Sequence, residues 1–243
     1  MHAWGVEPPP TLSVPQLSVD PLIDGHCSEA EWSGAARLTL ASGPLGSSAP
    51  VPMPTTTLRI AWRPETLFLA FDCDDTMLIA TPEREHDGTL YDEDVAEVFI
   101  DAVGDGRAYW EIQASPFART TDGLHLVTGE PQYQEDGRFT ADFYRREHFW
   151  STGFELDGLR VAATRRSGGW SLELAIPAMP LLRRTGAASF AAGTVIRLNA
   201  LRYDWSQPRT TADRPLQQVS WSAVTLGCPH QSPSRMGFIR LAP

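Results

Sequence analysis

Two neighbouring segments in the middle of the chain alternate apolar side chains with carboxylate, amide and aromatic ones. This period of two predicts β-strands over Val95–Asp101 and Tyr109–Ser115, with the two sets of side chains on opposite faces. The polar and aromatic set comprises Glu97, Phe99, Asp101, Tyr109, Glu111 and Gln113. Carboxylates and amides hydrogen-bond sugar hydroxyls, and aromatic rings cover the apolar C–H faces of a sugar. The pattern therefore favours a carbohydrate-binding surface.

The connection between these strands predicts a hairpin and its register. It contains Gly104, Asp105 and Gly106, which tolerate the positive φ angles of tight turns. A turn centred on Asp105 pairs position 97 with 113, 99 with 111, and 101 with 109. Both glutamates then lie on one open, polar platform.

Glu97 and Glu111 also resemble the carboxylate pair of a glycosidase. Diagonal neighbours on one strand face are roughly 7 to 8 Å apart, which is compatible with hydrolysis. An open platform, however, leaves a carboxylic acid in water and does not raise its pKa. The GxSxG, HExxH, P-loop and GxGxxG motifs do not occur in the sequence. Binding without catalysis is the first expectation, and an enzyme on the same scaffold is an alternative.

A later segment, Val195–Trp205, predicts a strand that supplies another wall for a ligand. Asn199, Tyr203 and Trp205 alternate onto one of its faces, and Trp205 opens a polar loop. Core or edge packing is the commoner role of such a tryptophan.

An acidic cluster offers the oxygen ligands that calcium prefers. Its members are Asp72, Asp74, Asp75, Asp92, Glu93 and Asp94. Their spacing differs from the twelve-residue EF-hand loop, so a structural calcium site would be assembled from separate loops. Acidic loop ends in solvent are the alternative interpretation.

Nine short alternating segments predict the strands that must position these residues. They are Leu58–Trp62, Leu67–Cys73, Val95–Asp101, Tyr109–Ser115, Leu159–Arg165, Trp170–Ile176, Val195–Trp205, Gln218–Val224 and Met236–Leu241. Helical turns are predicted only around Ser28–Trp32 and Ala178–Arg183. The fold class is therefore all-β: a two-sheet antiparallel β-sandwich, immunoglobulin-like or jelly-roll-like, with few short helices. Five prolines predict an extended arm over residues 1–21, followed by a single domain over 22–243.

Composition excludes several partners. The net charge is -10 and no block of basic residues occurs, which disfavours nucleic acid. Apolar runs such as Leu67–Phe71 are far shorter than the roughly 20 residues that span a membrane. Cys27, Cys73 and Cys228 lie far apart, which favours buried thiols over a zinc site. The start lacks the features of a secretory signal, so the compartment is secreted or periplasmic if a signal was removed, and cytoplasmic otherwise.

The whole chain resembles the family 9 carbohydrate-binding modules over about residues 22–242. The resemblance rests on IDG at Ile23–Gly25, EW at Glu31–Trp32, LRIAWRPETLFLAFDCDD from Leu58, LYDEDVAEVFIDAVGD from Leu90, YWEI from Tyr109, GWSLELAIP from Gly169 and MGFIRL from Met236. It implies a two-sheet sandwich that holds a sugar between two aromatic rings and carries structural calcium. A separately encoded glycoside-active enzyme is a candidate partner.

The resemblance also assigns roles to individual residues. Tyr91 matches the aromatic wall that precedes the acidic pair, and Glu97 matches the glutamate that reaches the sugar hydroxyls. The second aromatic wall falls near His230, and the arginine of the family falls at Glu111. These departures imply a ligand that differs from those of the relatives.

Haem binding is the expectation from a different class, because related sandwiches ligate haem through methionine and histidine. Met53, Met77 and Met236 and six histidines supply such ligands. The sequence places no particular His–Met pair.

Overall fold

The computed structural model describes residues 8–43, 53–205, 216–225 and 228–243. Its strands are β1 (Thr11–Val14), β2 (Ala36–Thr39), β3 (Thr56–Arg63), β4 (Thr66–Asp74), β5 (Val95–Asp101), β6 (Ala108–Ala114), β7 (Thr120–Val127), β8 (His148–Ser151), β9 (Arg160–Arg166), β10 (Gly169–Pro177), β11 (Val195–Trp205), β12 (Leu216–Ser220) and β13 (Gly237–Leu241). Its α-helices are α1 (Glu29–Trp32), α2 (Ala141–Glu147) and α3 (Ala178–Leu182). None of the helices in the described residues is long and apolar enough to span a membrane.

The strands form two sheets, which confirms the predicted all-β sandwich. The larger sheet has the order β1-β13-β11-β5-β6-β7-β8, with β12 paired to the far end of β11. The smaller sheet has the order β2-β3-β4-β10-β9. Neighbouring strands are antiparallel except β1 and β13, which pair in parallel. Thr11–Val14, part of the predicted arm, thus form an edge strand, while the division into arm and domain stays a prediction.

The main core lies between the sheets because every second residue of the central strands is apolar. Val98, Ile100 and Ile112 of the larger sheet face the same cluster as Phe71 and Leu172 of the smaller one, and all five are fully buried. Each such side chain contributes about 1.5–3 kcal/mol through removal from water. This apolar layer fixes which face of β5 and β6 points outward.

The hairpin between β5 and β6 has the predicted register. Glu97 pairs with Gln113, and Phe99 pairs with Glu111. Asp101 closes the turn, since its carboxylate accepts hydrogen bonds from the backbone N–H groups of Val103, Gly104 and Gly106 at 2.7–3.1 Å. The hairpin chemistry therefore places Glu97, Glu111 and Gln113 side by side on the outer face.

The predicted open platform is wrong, because a second layer covers the outer face of the larger sheet. Phe99 and Tyr109 pack there against Phe139, Phe143 of α2, and Met236 in a second apolar cluster. Glu97 is consequently only 1% exposed and Gln113 only 4%. The covering segments were missed because α2 is too short to show helical periodicity.

Candidate functional site

A cavity of about 480 Å³ opens beside the covered part of the outer face. Its floor is formed by β5, β6 and β7, whose side chains Glu97, Glu111, Gln113, Thr121 and His125 line it. Its walls and rim are Asp87, Gly88, Thr89, Tyr91, Tyr144, Trp150, Tyr203, Trp205 and His230. Aromatic rings thus surround a polar floor.

A chain of hydrogen bonds connects the polar groups of the floor. The Gln113 side-chain amide donates to Glu97 Oε1 at 2.8 Å and to Glu111 Oε1 at 2.7 Å. Glu111 Oε2 lies 2.6 Å from His125 Nε2, and His125 Nδ1 lies 2.9 Å from His148 Nε2. A carboxylate only accepts, so His125 Nε2 is the donor to Glu111, and His148 donates to His125. The opposite orientation of Gln113 would turn its carbonyl oxygen toward two carboxylates.

Burial changes the protonation of the floor. It raises the pKa of Glu97 well above the usual range of a glutamate, and the negative charge of Glu111 raises it further. Burial also raises the pKa of Glu111, while it lowers the pKa of His125 to about 3. These shifts favour a proton held by the Glu97–Glu111 pair and an uncharged His125.

Two acceptor atoms of the floor lack a partner in the described part of the chain. Glu97 Oε2 and Gln113 Oε1 are buried and accept no hydrogen bond. A buried polar atom without a partner costs about 1–3 kcal/mol of stability. Both residues line the cavity, so these unpartnered atoms belong to its floor.

Two exposed rings belong to the rim of this cavity. Tyr91 is 48% exposed and Trp150 is 46% exposed. The Trp205 indole donates to the Tyr91 carbonyl oxygen at 3.0 Å, which attaches the Tyr91 segment to the end of β11. Trp150 lies on β8 over Gly123, where a Cβ atom would be only 2.8 Å from the indole nitrogen. Both rings can therefore present a face or an edge to a bound molecule.

The cavity brings together most of the side chains proposed from sequence for ligand binding. Tyr91, Glu97, Glu111, Gln113, Tyr203, Trp205 and His230 all line it. Asn199 does not, although it lies on the same face of β11. Its side-chain amide donates to the Ser222 carbonyl oxygen at 2.9 Å and accepts from the Ser222 and Ala200 N–H groups. Asn199 is therefore a structural residue that fixes the following segment.

Sequence reasoning missed His125 and Trp150, because β7 and β8 were not predicted. Asp122 and Gly123 interrupt the apolar pattern of β7, and β8 has only four residues. The alternation of Thr121, Gly123 and His125 is the signal that would have placed this histidine beside Glu111, since Gly123 pairs with Glu111 in the sheet.

Only part of the predicted acidic cluster comes together. Asp75 and Asp94 join Asp204, which was not predicted, and the ligand oxygens of these three lie within 4.8 Å of one another. Asp72 and Asp74 instead contact Arg166 at 2.5 Å and 3.6 Å, because their strand directs them away from the other group. Asp92 is buried and lies outside this triad.

The aspartate triad fits a calcium ion in ligand type and charge. Arg202 is fully buried and lies 3.0 Å from Asp75 Oδ2 and 3.5 Å from Asp204 Oδ1. When all three carboxyl groups are ionised, they and the guanidinium leave two negative charges, which a divalent cation balances. Burial raises the pKa of Asp94 to about 8, and the charges of Asp75 and Asp204 add to this effect. Asp94 also accepts from the Trp205 N–H at 2.7 Å, so the triad adjoins the cavity wall.

A second group of possible metal ligands lies elsewhere, in a shallower cavity of about 440 Å³. There His86 Nε2 is 3.0 Å from Glu155 Oε2 and 3.6 Å from Asp87 Oδ1. Its Nδ1 is 3.0 Å from the Thr120 carbonyl oxygen.

The residues considered for haem are dispersed. Met236 lies in the outer apolar cluster, Met53 packs against the main core, and Met77 is 56% exposed. Both ring nitrogens of His125 are already engaged by Glu111 and His148.

A cavity with aromatic walls and an acidic floor, on one outer face of a β-sandwich, has the features of a site for a small ligand. The family model "Carbohydrate family 9 binding domain-like" matches residues 23–243, and the chain belongs to this family. No curated protein sequence matches the chain.

Solved structures share the fold over nearly the whole chain. A family 9 carbohydrate-binding module from Caldicellulosiruptor kristjanssonii in complex with cellotriose has 14% identity and a TM-score of 0.64, covering 96% of this chain and 93% of that one. A putative carbohydrate-binding protein from Bacteroides uniformis has 15% identity and a TM-score of 0.68, covering 96% and 99%. A Caldicellulosiruptor module in complex with glucose has 17% identity and a TM-score of 0.58, covering 95% of each chain.

Proposed function

We propose that the protein binds a mono- or oligosaccharide in the cavity without transforming it. The observation that carries this proposal is a cavity lined by two exposed rings, Tyr91 and Trp150, whose floor contains unpartnered acceptors. Aromatic rings cover the C–H faces of a sugar, and the floor atoms accept hydrogen bonds from its polar groups. The complexes of the Caldicellulosiruptor modules with cellotriose and glucose support the same ligand class.

The arrangement of the carboxyl groups supports binding rather than hydrolysis. Glycosidase carboxylates flank the scissile bond and are roughly 5 Å or more apart, so that the sugar lies between them. Glu97 and Glu111 are instead bridged by the side-chain amide nitrogen of Gln113, which donates to both, at 2.8 Å and 2.7 Å. The Gln113 amide thus holds the position between the two carboxyl groups that a scissile bond would need.

Titration of soluble glycans followed by tryptophan fluorescence and calorimetry tests the proposal. Trp150→Ala should weaken sugar affinity about 10- to 100-fold, because a stacked ring contributes about 1.5–3 kcal/mol. Phe149→Ala is the matched control, since Phe149 is adjacent, 54% exposed and not part of the cavity. A folded protein that responds to no member of a broad glycan panel would overturn the proposal.

We also propose that Asp75, Asp94 and Asp204 bind a structural calcium ion. When bound, the ion would hold β11 to the segment around Asp94, and thereby position Trp205. Calcium should raise the melting temperature of metal-free protein, and Asp204→Asn should abolish this increase. Glu155→Gln, in the other acidic group, should leave it intact. An identical melting temperature with calcium and with chelator would contradict the proposal. A separately encoded enzyme partner stays a prediction.

A further inference from the structure

The cavity is acidic in a way that a neutral sugar does not require. Three carboxyl groups line it, those of Asp87, Glu97 and Glu111, and its described lining contains no arginine or lysine. Its histidines add no compensating charge, since burial lowers the pKa of His125 to about 3 and that of His230 to about 4. We propose that the ligand carries an ammonium group next to its ring, as a protonated amino sugar does. This inference rests on the proposed function and specifies its ligand class.

The hydrogen-bonding capacity of the floor matches an ammonium group. Both hydrogens of the Gln113 amide are used between Glu97 and Glu111, which leaves Gln113 Oε1 and Glu97 Oε2 as the unpartnered atoms. Both are acceptors once Glu97 is ionised. An ammonium group offers three donors and no acceptor, whereas a hydroxyl offers one donor. The floor therefore satisfies an ammonium group more completely than a hydroxyl.

The walls favour a cation for a second reason. Tyr91, Tyr144, Trp150, Tyr203 and Trp205 surround the floor. The electron-rich faces of such rings attract cations within about 6 Å of the ring centre. Because the cavity also excludes much of the solvent from Glu97 and Glu111, a charge pair formed there is screened less than one at the surface.

The shared proton gives the proposal a distinctive signature. An incoming ammonium stabilises the ionised form of Glu97, so the proton held by the pair leaves for solvent. A neutral sugar leaves that proton in place. Proton release upon binding therefore distinguishes the two ligand classes independently of affinity.

The test compares D-glucosamine with D-glucose and N-acetyl-D-glucosamine, which have the same ring without the charge. Calorimetry at about pH 6, where the amine is protonated, should give at least tenfold tighter binding of glucosamine. Repeating the titration in buffers of different ionisation enthalpy should show proton release for glucosamine only. Galactosamine extends the comparison to another ring stereochemistry.

Glu97→Gln should remove the preference for glucosamine over glucose and the proton release on binding. Glu135→Gln is the matched control, because Glu135 is exposed and lies outside the cavity. Circular dichroism confirms folding of each variant, and the comparison of sugars on the unmodified protein does not depend on it. Equal or tighter binding of glucose overturns the amino-sugar inference and leaves sugar binding standing. Absence of response to every sugar overturns both.

Discussion

Each sheet buries a glutamate on its outer face, and the two glutamates differ in how completely their carboxylates are hydrogen-bonded. Glu173 on β10 is 0% exposed, and its carboxylate accepts four hydrogen bonds at 2.7–2.9 Å, from the N–H groups of Asp24, Gly25 and Cys27 and from the Trp32 indole. Glu97 on β5 is 1% exposed, yet one of its oxygens has no partner. The Glu173 carboxylate therefore has its hydrogen-bond donors within the protein itself.

This difference distinguishes a structural carboxylate from a binding one. Glu173 attaches the IDG and EW segments to the smaller sheet, and every donor around it belongs to the protein. Glu97 shares a single amide with Glu111 and faces a cavity. Hydrogen-bond satisfaction therefore separates the two roles, although burial is the same. The same substitution, glutamate to glutamine, should have opposite effects at the two sites.

The largest effect is expected for Glu173→Gln. A glutamine places an NH2 group against the N–H donors of Gly25, Cys27 or Trp32, so donors face donors. The free energy of unfolding should fall by about 2–4 kcal/mol. Urea denaturation measures this loss, and sugar affinity should be unchanged in the folded fraction. A loss below 0.5 kcal/mol, roughly the scatter of surface substitutions, would contradict a structural role for Glu173.

Glu97→Gln should keep or increase stability, with a gain that grows with pH. The folded-state pKa of Glu97 is raised, so its folded form binds more protons than its unfolded form above about pH 4.5. The stability of the unmodified protein is thus lost as pH rises toward the folded pKa, by at most about 1.4 kcal/mol per pH unit from this group. Unfolding measured at a series of pH values between 5 and 8 gives the difference between the two proteins. A constant difference would show that Glu97 does not hold the shared proton.

His148→Asn should reduce the loss of folding stability at acidic pH. Burial lowers the pKa of His148 to about 3 from the ordinary 6.5, so the unfolded chain binds a proton between these values and the folded protein does not. The contribution of neutral His148 is full above about pH 6.5 and is lost as pH falls toward 3. Stability should therefore decline less steeply on acidification in the variant, by up to about 1.4 kcal/mol per pH unit. Parallel profiles would contradict this assignment.

The smallest effects come from single hydroxyls next to each glutamate. Ser171 donates to the Gly25 carbonyl oxygen at 2.6 Å, and Thr121 donates to the Gly88 carbonyl oxygen at 2.7 Å. Ser171→Ala and Thr121→Val should each cost about 1 kcal/mol of stability. Only Thr121→Val should also weaken sugar binding, because Thr121 and Gly88 line the cavity. Equal sugar affinities of the two variants would contradict the assignment of a binding role to the Glu97 site alone.

The sequence predicted the sandwich and the central hairpin because both depend on local patterns. Alternation of apolar residues defined β5 and β6, and the glycines around Asp105 set their register, as found. The burial of Glu97 was not predictable in this way. It depends on α2 and on the segment near Met236, which reach the outer face only through tertiary packing.

The candidate site was predictable where its residues lie on long strands. Glu97, Glu111 and Tyr203 follow from alternation, whereas Trp150 required a four-residue strand at the sheet edge. The role of Asn199 was not predictable, although this residue also lies on a long strand. Its face on β11 was predicted, but alternation does not reveal that the Ser222 backbone satisfies its amide.

The parallel pair of β1 and β13 has a consequence for how the protein is made. Thr11 pairs with Phe238, and Val14 pairs with Leu241, so this edge joins segments more than 200 positions apart in the chain. During synthesis β1 is made before β13, so the two strands can pair only after β13 has left the ribosome. Val14, which is fully buried in the finished core, lacks its β13 neighbour during that interval. Contacts of such high sequence separation form late and slowly, so this edge of the larger sheet is completed only near the end of synthesis.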